Sequence, residues 1–297
     1  MATNRRLNVL KTYKIYIGGQ FPRTESGRYY PVYDKKGNAI ANMCLSSRKD
    51  IREAIVAARK AFAGWSERAA FNRGQILYRM AEMLEGRKAQ FEEELIMQGL
   101  SSQQASKEVQ TAVDRLIYFS GWCDKYHAVF SSVNPVASPH INFSVPEPMG
   151  VVTIAAPEEN GLIGLVSMLA PVIAGGNTCV ILASEKKPLC AITLAEVLNS
   201  SDLPGGVVNI ITGSHKELLP HLANHMDVNA MAYCGSDASH WKHLSELAAL
   251  NVKRMRKYEK LDWISSSPES PYLILDFQET KTTWHPIELT GGAKAGY

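Results

Sequence analysis

From Ser47 onward, apolar residues recur at helical spacing. Ile51, Ala54, Ile55, Ala58 and Phe62 fall on one stripe, and Ser47-Arg48-Lys49-Asp50 has the layout of a capping box. Before it, residues 13–45 alternate apolar and polar positions around Gly18-Gly19 and Lys36-Gly37-Asn38, which predicts hairpin strands. Further helices are expected over residues 73–85 and 88–98, and a longer one capped by Ser101-Ser102-Gln103-Gln104 and running to about Tyr126. Residues 131–139 read as a Ser/Pro-rich loop, followed by an alternating strand over 140–146.

The pattern then changes. Four apolar runs, at residues 151–155, 179–182, 207–211 and 230–233, are separated by helical stretches. Apolar strands alternating with helices predict an α/β, Rossmann-like parallel sheet with helices on both faces. The apolar segment 162–174, interrupted by Gly164 and Pro171, reads as a buried helix. After a basic run over 252–260 and a Ser/Pro stretch, residues 272–283 read as a strand and 291–297 as a frayed end.

Composition narrows the function classes. A net charge of +3 over 297 residues is too mild to argue for nucleic acid or a membrane surface. The short run Lys253-Arg254-Met255-Arg256-Lys257 reads as a solvated helix face or a site for the acidic flank of a partner, in preference to nucleic-acid binding. Cys44, Cys123, Cys179, Cys190 and Cys234 are dispersed with no CxxC pair, as expected of reduced, buried thiols in a cytoplasm. No signal-like apolar run opens the chain. His215, His221 and His225 are close in sequence but lack carboxylate support, so they read as a polar helix face and not a metal site.

Several stretches carry a resemblance: Tyr16-Ile17-Gly18-Gly19, residues 57–65 (AARKAFAGW), residues 147–188 with Gly175-Gly176-Asn177-Thr178, residues 203–213 (LPGGVVNIITG), and residues 277–283. Together they resemble the aldehyde dehydrogenase superfamily over most of the chain. The resemblance implies an N-terminal hairpin and helices over 1–139, a first flap strand and return at 140–150, and a Rossmann-like core over 151–250. It further implies a bridge at 251–271 where the family inserts a whole catalytic domain, and a C-terminal flap strand and tail at 272–297. The chain looks like a degenerate member, similar to the second, non-catalytic domain of two-domain aldehyde dehydrogenases.

Aldehyde oxidation through a thioester needs a thiolate, an oxyanion hole, a general base and a bound nicotinamide. None of the five cysteines falls in the family's nucleophile context. The Pro-Trp-Asn-Phe-Pro loop that supplies the oxyanion Asn is here Pro157-Glu158-Glu159-Asn160-Gly161, which puts Glu159 at the Asn position. An ionised carboxylate cannot donate a hydrogen bond to an oxyanion. The Glu-Leu-Gly-Gly-Lys base motif is replaced by Tyr258-Glu259-Lys260-Leu261, without its glycines. No catalytic residue is therefore assigned.

For the cofactor, the Lys-Pro-Ser-Glu segment becomes Leu182-Ala183-Ser184-Glu185, and the Gly-Ser-Thr-Glu-Val-Gly turn becomes Gly235-Ser236-Asp237-Ala238-Ser239-His240. Glu185, Gly235 and Ser236 remain as vestigial NAD(P) contacts, while Asp237 brings negative charge to the pyrophosphate position. Two readings follow. One is an inactive subunit with an assembly or regulatory role, which forms a homo-oligomer or a complex with a full-length aldehyde dehydrogenase through its flap strands. The alternative is a residual NAD(P)-binding oxidoreductase.

Overall fold

The structure is a computed structural model, and it describes residues 9–287. Strands β1 (Thr12–Tyr13), β2 (Tyr29–Tyr33) and β3 (Ala39–Cys44) form a small N-terminal sheet in the order β1-β3-β2. Helix α1 (Arg48–Ser66) follows; Ser47 accepts the N–H groups of Lys49 and Asp50, and Asp50 returns a bond to the Ser47 N–H, closing the anticipated capping box. Helices α2 (Ala70–Gly86), α3 (Lys88–Met97) and α4 (Ser102–Ser120) come next, the last with its own capping box from Ser101 and Gln104.

Helix α4 is shorter than the sequence suggests. It stops at Gly121, and after a turn the chain forms the short α5 (Tyr126–Phe130). The residues read as a Ser/Pro loop contain β4 (Ser132–Asn134), whose backbone groups are satisfied by pairing with β5 (His140–Pro148).

The central sheet is built by β6 (Val151–Ala155), β7 (Thr178–Leu182), β8 (Val208–Ile211), β9 (Ala230–Tyr233) and β10 (Arg254–Lys257). Its order is β10-β9-β6-β7-β8, and every pairing is parallel. Helices α6 (Ile163–Ala174), α7 (Leu189–Asn199), α8 (His215–Asn224) and α9 (Ala238–Ala249) connect the strands. The strands alternate between two cores. Cys179 and Ile181 pack with α2–α4, α6 and α7, whereas Val180 and Leu182 pack with α1 and α8. Burial on both faces explains why these strands read as unbroken apolar runs.

Two expectations need correction here. The basic run 254–257 is not a helix face but the fifth strand, paired with β9 from Arg254↔Ala230 to Lys257↔Tyr233. Residues 272–275 are not strand but a single helical turn, α10 (Tyr272–Leu275), which Pro271 starts; β11 (Gln278–Pro286) begins after it. β11 pairs antiparallel with β5 along its whole length, giving a three-stranded flap, β11-β5-β4. The frayed end anticipated at 291–297 lies outside the described residues.

Candidate functional site

In a parallel sheet of this kind, ligands bind at the carboxyl ends of the strands. The loops after β6, β7, β8 and β9 meet there around a cleft of about 210 Å³, lined among others by Glu158, His215, Gly235, Ser236, Asp237 and His240. A second cleft of about 260 Å³ shares Glu159, Cys234 and Ser236 with it and is walled by Asn160, Tyr258 and Trp263. Each is smaller than the roughly 300–1,000 Å³ usual for a small-molecule pocket.

The groups that would greet an anion are engaged from within the chain. Glu158 accepts the Ser184 hydroxyl at 2.9 Å and the N–H groups of Glu185 and Lys186 at 3.0 Å each, so its carboxylate sits in the turn after β7. The His215 ring approaches the same carboxylate at 3.2 Å, and its Nε2 lies 2.8 Å from the Ala183 carbonyl. At the start of α9, Asp237 accepts the N–H groups of Ser239 and His240 at 2.9 and 3.0 Å. These bonds hold its carboxyl below the usual carboxylate range, His240 contributing most. At the start of α6, buried Glu108 accepts the N–H groups of Leu162 and Ile163. Helix N-termini are natural anion sites, and here carboxylates of the same chain lie on three of the turns that face the crevice.

The three residues proposed from sequence as cofactor contacts separate. Gly235 and Ser236 line the cleft. Glu185 instead turns to the start of α8, where it accepts the His215 N–H at 2.9 Å. Gly235 is closely covered: a side chain there would run into the Tyr233 phenol. That ring in turn stacks on Trp241 at 5.8 Å and meets His240 edge-on. Glu158, His215 and His240 are the site residues that sequence reasoning did not select. Glu158 was visible only as a substituted Trp, and its partners lie 26–28 residues away.

All five cysteines are buried and unpaired. Burial raises the Cys234 thiol beside the crevice far above its ordinary value, and the charge of Glu159 adds to the effect. The Glu159 carbonyl is engaged by the Lys187 ammonium. Glu259 pairs with Lys257, which lowers its carboxyl, and it lies in the loop after β10. Asp237 places a carboxylate at the α9 start, and one Glu185 oxygen is already bonded to the His215 N–H. Among the described residues no group of three or more His, Cys, Asp or Glu could hold a metal ion, and no helix is long and apolar enough to cross a membrane.

Residues 258–271 are packed against the body beside this crevice. Trp263 is only 5% exposed. Fully buried Arg115 of α4 donates to the carbonyl oxygens of Trp263 and Ser265 and to the Ser167 hydroxyl, and lies 3.6 Å from Glu269. Tyr258 donates to Asp276 at 2.6 Å. One arginine therefore ties α4, α6 and the bridge together.

Comparison with known proteins adds three findings. Residues 22–257 match the model of the Aldehyde dehydrogenase family. The chain is 31% identical over 259 residues to the cytosolic 10-formyltetrahydrofolate dehydrogenase of Mus musculus, covering 84% of this chain and 28% of that protein. It is 32% identical to the mitochondrial benzaldehyde dehydrogenase of Antirrhinum majus, covering 75% and 42% respectively. Among solved structures, the NAD+ complex of an aldehyde dehydrogenase from Bacillus cereus superposes with a TM-score of 0.80 at 25% identity, covering 84% of this chain and 51% of that one. The chain thus spans between 28% and 51% of the length of these relatives.

Proposed function

The chain belongs to the aldehyde dehydrogenase family, and we propose that it is a catalytically inactive subunit with an assembly or regulatory role. It associates with itself or with a complete aldehyde dehydrogenase through its flap strands. The observation that carries the reading is the engagement of the crevice by Glu158, Glu108 and Asp237, with Glu185 diverted to α8. A site kept for a nucleotide would leave the N–H groups that these carboxylates engage free for phosphate. The bridge supports the same reading. Where the family carries its catalytic domain, this chain has a short segment anchored by Arg115 and Trp263.

The flap supports the assembly half. β11 is an edge strand of nine residues, and Val133, Ile141, Trp284 and Ile287 on or beside the flap are exposed. Long edges with apolar neighbours favour strand addition by a partner. The test is co-expression with a complete aldehyde dehydrogenase. Co-elution, with a change in that enzyme's activity or oligomeric state, or self-association of the chain alone is expected; elution as a strict monomer both alone and beside that enzyme contradicts the proposal.

A second reading, a residual NAD(P)-binding oxidoreductase, is favoured by Gly235 and Ser236 lining the cleft and by the NAD+ complex of the Bacillus cereus neighbour. Calorimetric titration with NAD+ and NADH separates the two. Saturable micromolar binding would favour the second, and flat titrations the first.

A further inference from the structure

Away from the crevice, the first turn of α1 faces the end of α8 across a cleft of about 280 Å³. Arg48, Lys49, Ile51, Arg52, His221, Asn224 and His225 line it, so three cations and two imidazoles surround the space and no acidic side chain does. Of the nearby acids, Asp227 lies 4.0 Å from His225, whereas Glu25 and Asp50 are committed elsewhere. Glu25 is held by Lys49 at 2.6 Å, and Asp50 accepts the Thr24 hydroxyl and the N–H groups of Glu25 and Ser47. Among the described residues, Arg48 and Arg52 form no ion pair and no side-chain hydrogen bond, and they stand one helical turn apart.

A second observation points the same way. Lys253, at the turn between α9 and β10, is 8% exposed, and its ammonium has no hydrogen-bond partner. A buried, uncompensated charge is costly. Lys253 does not line the cleft, but its positive charge helps hold His225, which does, below the usual histidine value. The last turns of α8 and α9 are joined there by the Asn251 amide, which donates to the Asn224 carbonyl.

We infer that this cleft binds a phosphate-bearing small molecule, with Arg48 and Arg52 as its forked anchors. Two guanidinium groups on one helix face match the tetrahedral oxygens of a phosphate. At about 280 Å³ the cleft also lies below the usual small-molecule range, a size that suits a phosphate or diphosphate group and leaves the rest of the molecule outside. The N–H groups of Lys49 and Asp50 are already taken by Ser47, so the contacts come from side chains and not from the α1 backbone. None of the residues lining this cleft lines the crevice at the strand ends.

The site carries its own pH dependence. His225 is held below the usual histidine value, by burial first and then by the positive charges of Lys253, Arg52 and Arg48, against the opposing effect of Asp227. A bound dianion offsets those positive charges and raises the His225 pKa, so binding takes up a proton. Affinity therefore rises as pH falls from the bound value to the free value. Sulfate is the right probe for this arm, because it stays dianionic where phosphate gains a proton near pH 6.

The experiment is calorimetric titration of the full chain with inorganic pyrophosphate and, as a function of pH, with sulfate. Saturable one-to-one pyrophosphate binding is expected. It should weaken at least tenfold in the Arg48→Ala/Arg52→Ala double variant and be unchanged in Lys242→Ala, a control on the exposed face of α9. Both arginines are exposed, so folding should survive, and circular dichroism checks it. Sulfate should bind more tightly at low pH, with net proton uptake. Absence of saturable binding overturns the proposal, as does equal affinity in the double variant. So does binding confined to long polyanions such as heparin or RNA, which would make the region a diffuse basic surface.

Discussion

The strand-end crevice and the flap are built on opposite terms. In the crevice nearly every turn is answered from inside the chain: Glu108, Glu158 and Asp237 take the N–H groups that a ligand would otherwise claim. In the flap, β5 is paired on both sides, but β11 keeps a free edge among the described residues, and Trp284 remains 57% exposed. On the proposed reading, the fold has closed the surface on which family chemistry is done and kept open one that can recruit a strand.

The comparison can be broken first at the bridge. If residues 258–271 are part of the body, Trp263→Ala leaves a cavity and should cost about 3–5 kcal/mol in urea unfolding. A loss below about 0.5 kcal/mol would mark the bridge as a loosely laid loop. Arg115→Ala strands the Trp263 and Ser265 carbonyls and the Ser167 hydroxyl. A loss of about 2–4 kcal/mol is expected, from the desolvated groups it leaves behind.

The flap should behave the other way. Trp284→Glu places a charge on the exposed edge strand, and stability should move by less than about 0.5 kcal/mol. Self-association or partner binding, followed by sedimentation velocity, should weaken by at least tenfold, about 1.4 kcal/mol. A stability loss with unchanged association would reverse the assignment of the two regions.

The smallest effect lies in the crevice itself. Asp237 has its carboxyl depressed by bonds from His240 and Ser239. A depressed acid contributes stability that is present above its unfolded value of about 3.9 and is lost as pH falls through the folded value. Acid unfolding of Asp237→Ala should therefore show a shallower dependence on pH below about 4 than the parent chain. An identical pH profile would mean that the self-cap does not form in solution.

Sequence reasoning reached the architecture because burial writes directly into pattern. Runs such as Ala230–Tyr233 are apolar on both faces, and Ser47 and Ser101 announce their helices by local capping chemistry. It failed where a neighbour decides. Arg254–Lys257 is polar enough to pass for a helix face, and becomes a strand because β9 offers a ladder and Glu279, Asp276 and Glu259 neutralise its charges. Tyr-Leu-Ile-Leu at 272–275 looks like strand, but Pro271 starts a turn of helix before β11. β4 was hidden by its Ser-rich composition. In the crevice the substitutions at Glu158, Glu159 and Asp237 were legible. The use of Glu158 as an internal ligand was not, because it depends on contacts such as that with Ser184, 26 residues apart. Glu185 illustrates the limit: the residue is retained, but it caps α8.

The central claim is that the flap, and not the crevice, is the working surface. The most direct test is the solution mass of the chain, alone and mixed with a complete aldehyde dehydrogenase, for the parent and for Trp284→Glu. The account predicts an assembly larger than one chain in at least one of the two parent samples, reduced or lost in the variant. A strict monomer in both parent samples would contradict it.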